Sequence, residues 1–164
     1  MPVFFGQRPT GRPADPKDKF TSKYLDVANE PLYPFGHGLT YGRFSLGAPR
    51  VSPGTVSEGQ VIAVDVDVAN EGTHAAEETV FVFSRDKVAS VARPLLELRA
   101  FGKIRLGPGE RGTVRLSFPA AELRFLGPDL MPVFEPGEVE ILVGPCADRA
   151  QLRGVSVLLA GPAG

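Results

Sequence analysis

Tryptophan is absent from the 164 residues, cysteine occurs once and histidine twice. The lone Cys146 has no internal disulfide partner, and with two distant histidines it makes no zinc-ligand pattern. It is expected to serve as a small apolar side chain in the interior. The lack of tryptophan weakens the case for a sugar-stacking platform, because the three tyrosines, Tyr24, Tyr33 and Tyr41, all fall in the first 44 residues. Lys plus Arg number 18 against 19 Asp plus Glu, a formal net charge of −1. That balance gives no electrostatic reason for a nucleic-acid partner. No apolar run approaches the roughly 20 residues that span a bilayer, so no membrane partner is expected. A basic start followed by an apolar stretch is also missing, and no secretory leader is legible.

What is present points to a small globular fold. Hydrophobic residues make up 43% of the chain and mean hydropathy is −0.01, ordinary for a domain with a core. Glycine (19) and proline (16) are spread throughout and break the sequence into short pieces, which favours strands and turns over long helices.

Two regions differ in character. Residues 1–44 carry Pro2, Pro9, Pro13, Pro16, Pro31 and Pro34, which forbid a continuous helix or central strand. Only positions 1–5 read as a short strand. The rest reads as an extended arm with local turns. It holds many large apolar groups, among them Phe4, Phe5, Phe20, Leu32, Tyr33, Phe35, Leu39 and Tyr41, more than a disordered linker usually carries. The arm is therefore expected to pack, partly on the following domain and partly on something beyond this chain. Residues 1–30 are expected to be its less ordered part.

Residues 45–164 follow a period of two. Ile62, Val64, Val66 and Val68 lie on one face of a strand whose other face carries Asp65 and Asp67. Residues 79–83 are apolar on both faces, Val80 and Val82 against Phe81 and Phe83, so this strand is central or its second face meets another surface. Residues 96–106 form a weaker candidate interrupted by Gly102. Val114, Leu116 and Phe118 alternate with Arg115. Val139, Ile141 and Val143 alternate with Glu138 and Glu140, and Val155, Val157 and Leu159 follow. Turn signals at Asn70-Glu71-Gly72, Pro108-Gly109 and Pro136-Gly137 separate these runs. A single helical turn is expected near residues 120–125. Strands with one apolar face each are best served by pressing two sheets together. The expected fold is thus all-β, a two-sheet sandwich of about seven strands with an extended N-terminal arm.

No catalytic constellation emerges. Asp65/Asp67, Glu77/Glu78 and Glu138/Glu140 read as solvated strand faces or strand starts rather than as the paired acids of glycoside hydrolysis. His74 reads as a turn residue. His37 lies between Gly36 and Gly38 with no second metal ligand nearby. No phosphate-cradling loop or nucleophile elbow occurs, and no cofactor or metal is expected. The most distinctive words are Thr10-Gly11-Arg12-Pro13 and the run from Pro31 to Tyr41. In the latter, Pro31, Tyr33, Pro34, Phe35, Gly36, His37, Gly38 and Tyr41 read as a shaped connector at a domain junction. Its glycines permit close approach and its rings supply anchors.

These words resemble the C-terminal part of glycoside hydrolase family 3, notably its periplasmic β-glucosidases. Pro31 to Tyr41 is similar to the family's PLYPFGxGLSY signature, with Thr40 in place of Ser. Val68-Ala69-Asn70-Glu71-Gly72 resembles the V-x-N-x-G of its fibronectin type III-like domain. Arg93 to Ile104 resembles RPxKELKGFxKV, and Leu106 to Glu110 and Glu135 to Glu138 resemble two proline–glycine turns. Val3-Phe4-Phe5 resembles the last strand of the family's α/β-sandwich domain, and Gly11-Arg12-Pro13 and Lys19 to Asp26 the arm that follows. The resemblance implies a fibronectin III/immunoglobulin-like sandwich, a periplasmic or secreted parent that hydrolyses terminal β-glucosides, and a nucleophilic Asp and acidic Glu in upstream domains. No residue here aligns with either catalytic group, so this chain is expected to be inactive by itself. Its expected partners are the parent's upstream domains, with weak self-association through the arm. The alternative is a carbohydrate- or polymer-binding module.

Overall fold

The computed structural model describes residues 4–9, 15, 17, 18, 20 and 30–161. Eleven strands and one short 3-10 helix follow one another from Phe44. The first sheet is built on β4 (Val61–Asn70). One side of β4 pairs with the short strands β1 (Phe44–Leu46) and β2 (Arg50–Ser52), and the other with β7 (Arg111–Pro119). The second sheet runs β3 (Thr55–Val56), β11 (Arg153–Leu159), β10 (Gly137–Gly144), β5 (Ala76–Asp86), β6 (Glu97–Leu106). All neighbours are antiparallel except β3 and β11. The two-sheet, all-β arrangement is the expected one. The six long strands β4, β5, β6, β7, β10 and β11 match the six runs read from the sequence, and β1 and β2 share a seventh position at the edge.

Each alternating run delivers its apolar face inward. Ile62, Val64 and Val66 pair across the sheet with Phe118, Leu116 and Val114. Val80, Val82, Val139, Ile141, Val143 and Val157 complete the buried layer from the opposite sheet. Each such side chain removed from water contributes about 1.5–3 kcal/mol. The solvent side of the first sheet is polar. Asp65 lies opposite Arg115, and Asp67 opposite Thr113. Asp67 accepts from both Arg50 Nη atoms at 2.6 and 3.0 Å and from Thr113 Oγ1 at 2.7 Å. These partners, Arg50 foremost, hold its carboxyl at about 2.

The edge next to β2 is closed by a strand that changes sheets. The chain leaves the first sheet at Ser52 and joins the second at Thr55. There Leu158 N–H donates to Gly54 O and Ala160 N–H to Val56 O. Strand β6 is continuous through Gly102, which sequence reading treats as an interruption. A Cβ at Gly102 would lie 2.8 Å from Leu116 Cδ2, so the missing side chain makes room for a core residue of the facing sheet.

Asn70 explains the V-x-N-x-G word. It is buried, and its Nδ2 donates to His74 O (2.8 Å) and Leu106 O (3.0 Å) while Oδ1 accepts from Gly72 N–H (2.9 Å). Its backbone bonds Glu110 O and Gly109 N–H. One amide thus joins the β4–β5 turn to the β6–β7 turn.

The expected strand at the start of the arm is not seen at Phe4 and Phe5. Gln7 N–H donates to Phe4 O at 3.2 Å and closes a turn there. A strand needs a neighbour to bond, and none among the described residues pairs with them. The single helical turn expected near residues 120–125 is present as a 3-10 segment, Ala120–Leu123. Gly11-Arg12-Pro13, Lys19 and residues 21–26 lie outside the described residues, as do most of residues 1–30, on which the expectation of lower order falls.

Candidate domain-junction surface

The two-faced strand is where the arm meets the sandwich. Val80 and Val82 enter the main core, while Phe81 and Phe83 stand on the outer face of the second sheet. Strand β5 is also central, flanked by β10 and β6. Both readings of residues 79–83 therefore hold together. Phe83 is nonetheless completely buried, because the arm covers it. The Phe5 ring lies 5.8 Å from Phe83 and 4.8 Å from Phe35. Phe35 in turn lies edge-on to Phe81 at 5.6 Å. Phe81 continues the row to Phe101 at 6.2 Å. Leu96, Ala147, Leu98, Leu142 and Leu152 complete this second apolar cluster. Edge-to-face and tilted contacts of this kind add about 0.5–1.5 kcal/mol to simple burial.

Backbone bonds fix both docked points. Ala147 N–H donates to Phe35 O at 2.8 Å, and Leu95 N–H donates to Gln7 O at 2.8 Å. Around Phe35 the chain makes a tight turn, with His37 N–H donating to Pro34 O at 2.9 Å and Gly36 at φ +82°. That φ belongs to the third position of a type II turn, which favours glycine. A side chain at Gly36 would also lie 2.8 Å from Phe81 Cε2 and 3.2 Å from Cys146 Cα. Cys146 itself is buried, the interior role expected of it.

The residues singled out in the Pro31–Tyr41 word thus divide. Phe35 and Gly36 are seated on β5 and on the segment after β10, with Pro31 and Pro34 half-buried beside them. The Tyr33 and His37 rings meet at a 43° tilt, centres 5.1 Å apart, and both remain exposed. Gly38 has open space around it, and Tyr41 projects fully into solvent. Leu32 and Leu39 are exposed as well, Leu39 to 97%. Sequence reading missed the Phe5–Phe83 partnership and the two backbone anchors. Its one available signal was the second apolar face of residues 79–83.

Among the described residues no group of three or more His, Cys, Asp or Glu converges as a metal site would. Glu78 and Glu140 are half-buried rather than solvated: burial pushes the Glu78 carboxyl above its usual range, and Glu140 lies 3.2 Å from Lys87 and 3.9 Å from Arg85. Asp65, Glu77 and Glu138 stay on outer faces; His74 is an exposed turn residue held by Thr73 Oγ1 at 3.0 Å. A shallow groove of about 380 Å³ beside Asn70 is lined by Ser45, Leu46, Asp67, Glu71 and Arg111 among others, and no aromatic ring enters it. No helix is long and apolar enough to cross a membrane among the described residues.

Fold and surface together define a class, a fibronectin type III-like β-sandwich with an aromatic arm laid over its second sheet. Residues 78–147 match the family model described as "Fibronectin type III-like domain". The chain is 36% identical over 155 residues to a periplasmic beta-glucosidase of Salmonella typhimurium, covering 93% of this chain and 20% of that protein. It is 39% identical over 127 residues to a beta-xylosidase of Formosa agariphila, covering 77% and 18%. The crystal structure of a beta-glucosidase from Listeria innocua superposes with a TM-score of 0.88 at 34% identity, covering 98% of this chain and 22% of that one. The chain belongs with the β-glucosidases and β-xylosidases of glycoside hydrolase family 3, as their fibronectin type III-like domain. It spans about one fifth of the length of the curated relatives it matches.

Proposed function

We propose that this chain is a non-catalytic, C-terminal accessory module of a β-glucosidase-type glycoside hydrolase, and that its arm forms the junction with the catalytic domains. In this reading residues 1–44 are the connector and residues 45–164 the module. The parent acts on terminal β-D-glucosides in the periplasm or outside the cell, in keeping with the printed name of the Salmonella relative.

One observation carries the reading. Leu32, Tyr33, Leu39 and Tyr41 are exposed in a segment whose neighbouring Phe35 and Gly36 are firmly seated. Four large apolar groups held in water next to a fixed anchor are the mark of a surface awaiting a partner. That about four fifths of each relative lies outside the matched region supports a partner on the same polypeptide. In isolation the same surface gives weak self-association.

The test compares this chain with its full-length parent on an aryl β-glucoside. The parent is expected to turn over and the isolated chain is not. Turnover by the isolated chain that a point substitution within it abolishes would refute the proposal. Retention of the isolated chain on insoluble cellulose, lost in Tyr33→Ala and Tyr41→Ala, would favour a polysaccharide-binding module instead.

A further inference from the structure

A second exposed apolar surface lies on the connection between β7 and β10. The connection from β7 to β10 contains a small hairpin, β8 (Phe125–Leu126) paired with β9 (Pro132–Val133). Its tip presents Leu126, Leu130 and Met131 at 59%, 74% and 61% exposure. A connecting loop that only needs solvation is built from polar residues, glycine and proline, and three large apolar side chains in six positions break that rule. Leu130 also sits at φ +64°, a backbone region that side-chain-bearing residues other than Asn and Asp rarely occupy.

The tip is held in shape. Gly127 N–H donates to Met131 O (2.9 Å), Leu130 N–H to Gly127 O (3.0 Å) and Met131 N–H to Asp129 Oδ1 (3.1 Å). Its base is clamped by charged groups taken out of water. The Arg93 guanidinium, with the residue only 7% exposed, lies over the Phe125 ring at 4.4 Å and donates to Glu97 Oε2 at 2.6 Å. Arg99 reaches the same carboxylate oxygen at 3.0 Å and donates to Glu122 O at 2.6 Å, just before the hairpin. Ser90 N–H and Oγ donate to Glu135 Oε2 on its far side. Desolvating two guanidiniums is costly, so this clamp is more than a way to tether a passive loop.

Placement names the occupant. Leu95, two residues from Arg93, donates its N–H to Gln7 O. The start of the arm therefore runs past the base of the hairpin. In the parent proposed above, the domain preceding the arm emerges at that point and meets the hairpin at high effective concentration. We propose that the hairpin tip, Leu126, Leu130 and Met131, is a second docking element that seats in an apolar recess of the domain immediately upstream of the arm. The module is then held at two points, by the arm residues 32–41 beside Phe81 of β5 and by the hairpin beside Arg93 and the start of β6. This inference rests on the junction reading and adds a contact that reading does not require.

Amide hydrogen exchange on the isolated chain and the full-length parent tests both. In the parent, exchange within residues 126–132 is expected to slow at least tenfold relative to the isolated chain, alongside slowing in residues 31–41. In the double variant Leu130→Asn, Met131→Asp the isolated chain keeps its melting transition, since both side chains are exposed and Asn suits a positive φ. The parent variant is expected to lose the protection at 126–132 and keep it at 31–41. Protection confined to 31–41 in the unmodified parent would overturn the inference and leave the junction reading standing. Protection at neither segment would overturn both. Concentration-dependent protection of 126–132 in the isolated chain would assign the tip to a second copy and overturn the inference as well.

Discussion

Replacing Phe35 by alanine should release the arm from the sandwich without unfolding the sandwich. Phe35 is 42% exposed, so somewhat more than half of its surface is removed from water by the outer face of β5. Full burial of a phenylalanine contributes about 1.5–3 kcal/mol, and this share of it roughly 1–1.5. Loss of the ring pairs with Phe5 and Phe81 adds about 0.5–1 kcal/mol. A total near 2 kcal/mol corresponds to a roughly 30-fold rise in the undocked population. The readout is built into the structure. The Ala147 amide donates to Phe35 O, and its exchange reports docking of that segment, whereas the amides of Val82 and Ile141 sit inside paired strands and report global opening. Native-state hydrogen exchange followed by NMR should show Ala147 accelerated about 30-fold in Phe35→Ala, with Val82 and Ile141 unchanged. Equal acceleration at all three sites would mean that the arm is part of the sandwich's cooperative unit. No change at Ala147 would mean that the aromatic cluster does not hold the arm, and the reasoning would fail.

Asn70→Ala should lower the stability of the sandwich by about 2–4 kcal/mol, since it leaves Leu106 O, His74 O and Gly72 N–H without their partner at a buried turn junction. Urea unfolding measures it, and a loss below about 1 kcal/mol would show that water replaces the amide. Asp67 titrates near 2 in the folded chain against an ordinary 3.8, so its ionised form stabilises the fold above that ordinary value, and the contribution is lost as pH falls from about 4 towards 2. Melting temperatures of the parent sequence and Asp67→Asn should therefore differ at pH 5 and converge near pH 2. Parallel curves across that range would show that the Arg50 and Thr113 contacts do not stabilise the fold.

Of the candidate surface, Phe35 and Gly36 were legible because a turn glycine beside an aromatic is a local pattern. Their seat was not, since it combines β5 with Cys146 and Ala147, more than a hundred positions downstream. The hairpin tip escaped sequence reading for a related reason. Leu126, Leu130 and Met131 look like core residues in a chain that is 43% hydrophobic, and only their exposure in the folded chain sets them apart. The Arg93–Glu97–Arg99 clamp was equally hidden, because charged residues near a strand start read as solvated until burial is known.

Alternation by itself determined the long strands, their inward faces and the pairing of two sheets, because which side of a strand is apolar depends on neighbouring residues alone. Only the tertiary structure decided how the first edge divides between β1, β2 and β3, which core side chain Gly102 makes room for, and which face of the second sheet the arm covers. Those outcomes depend on side chains far apart in sequence competing for the same space. Close packing settles such contests, and no local pattern records them.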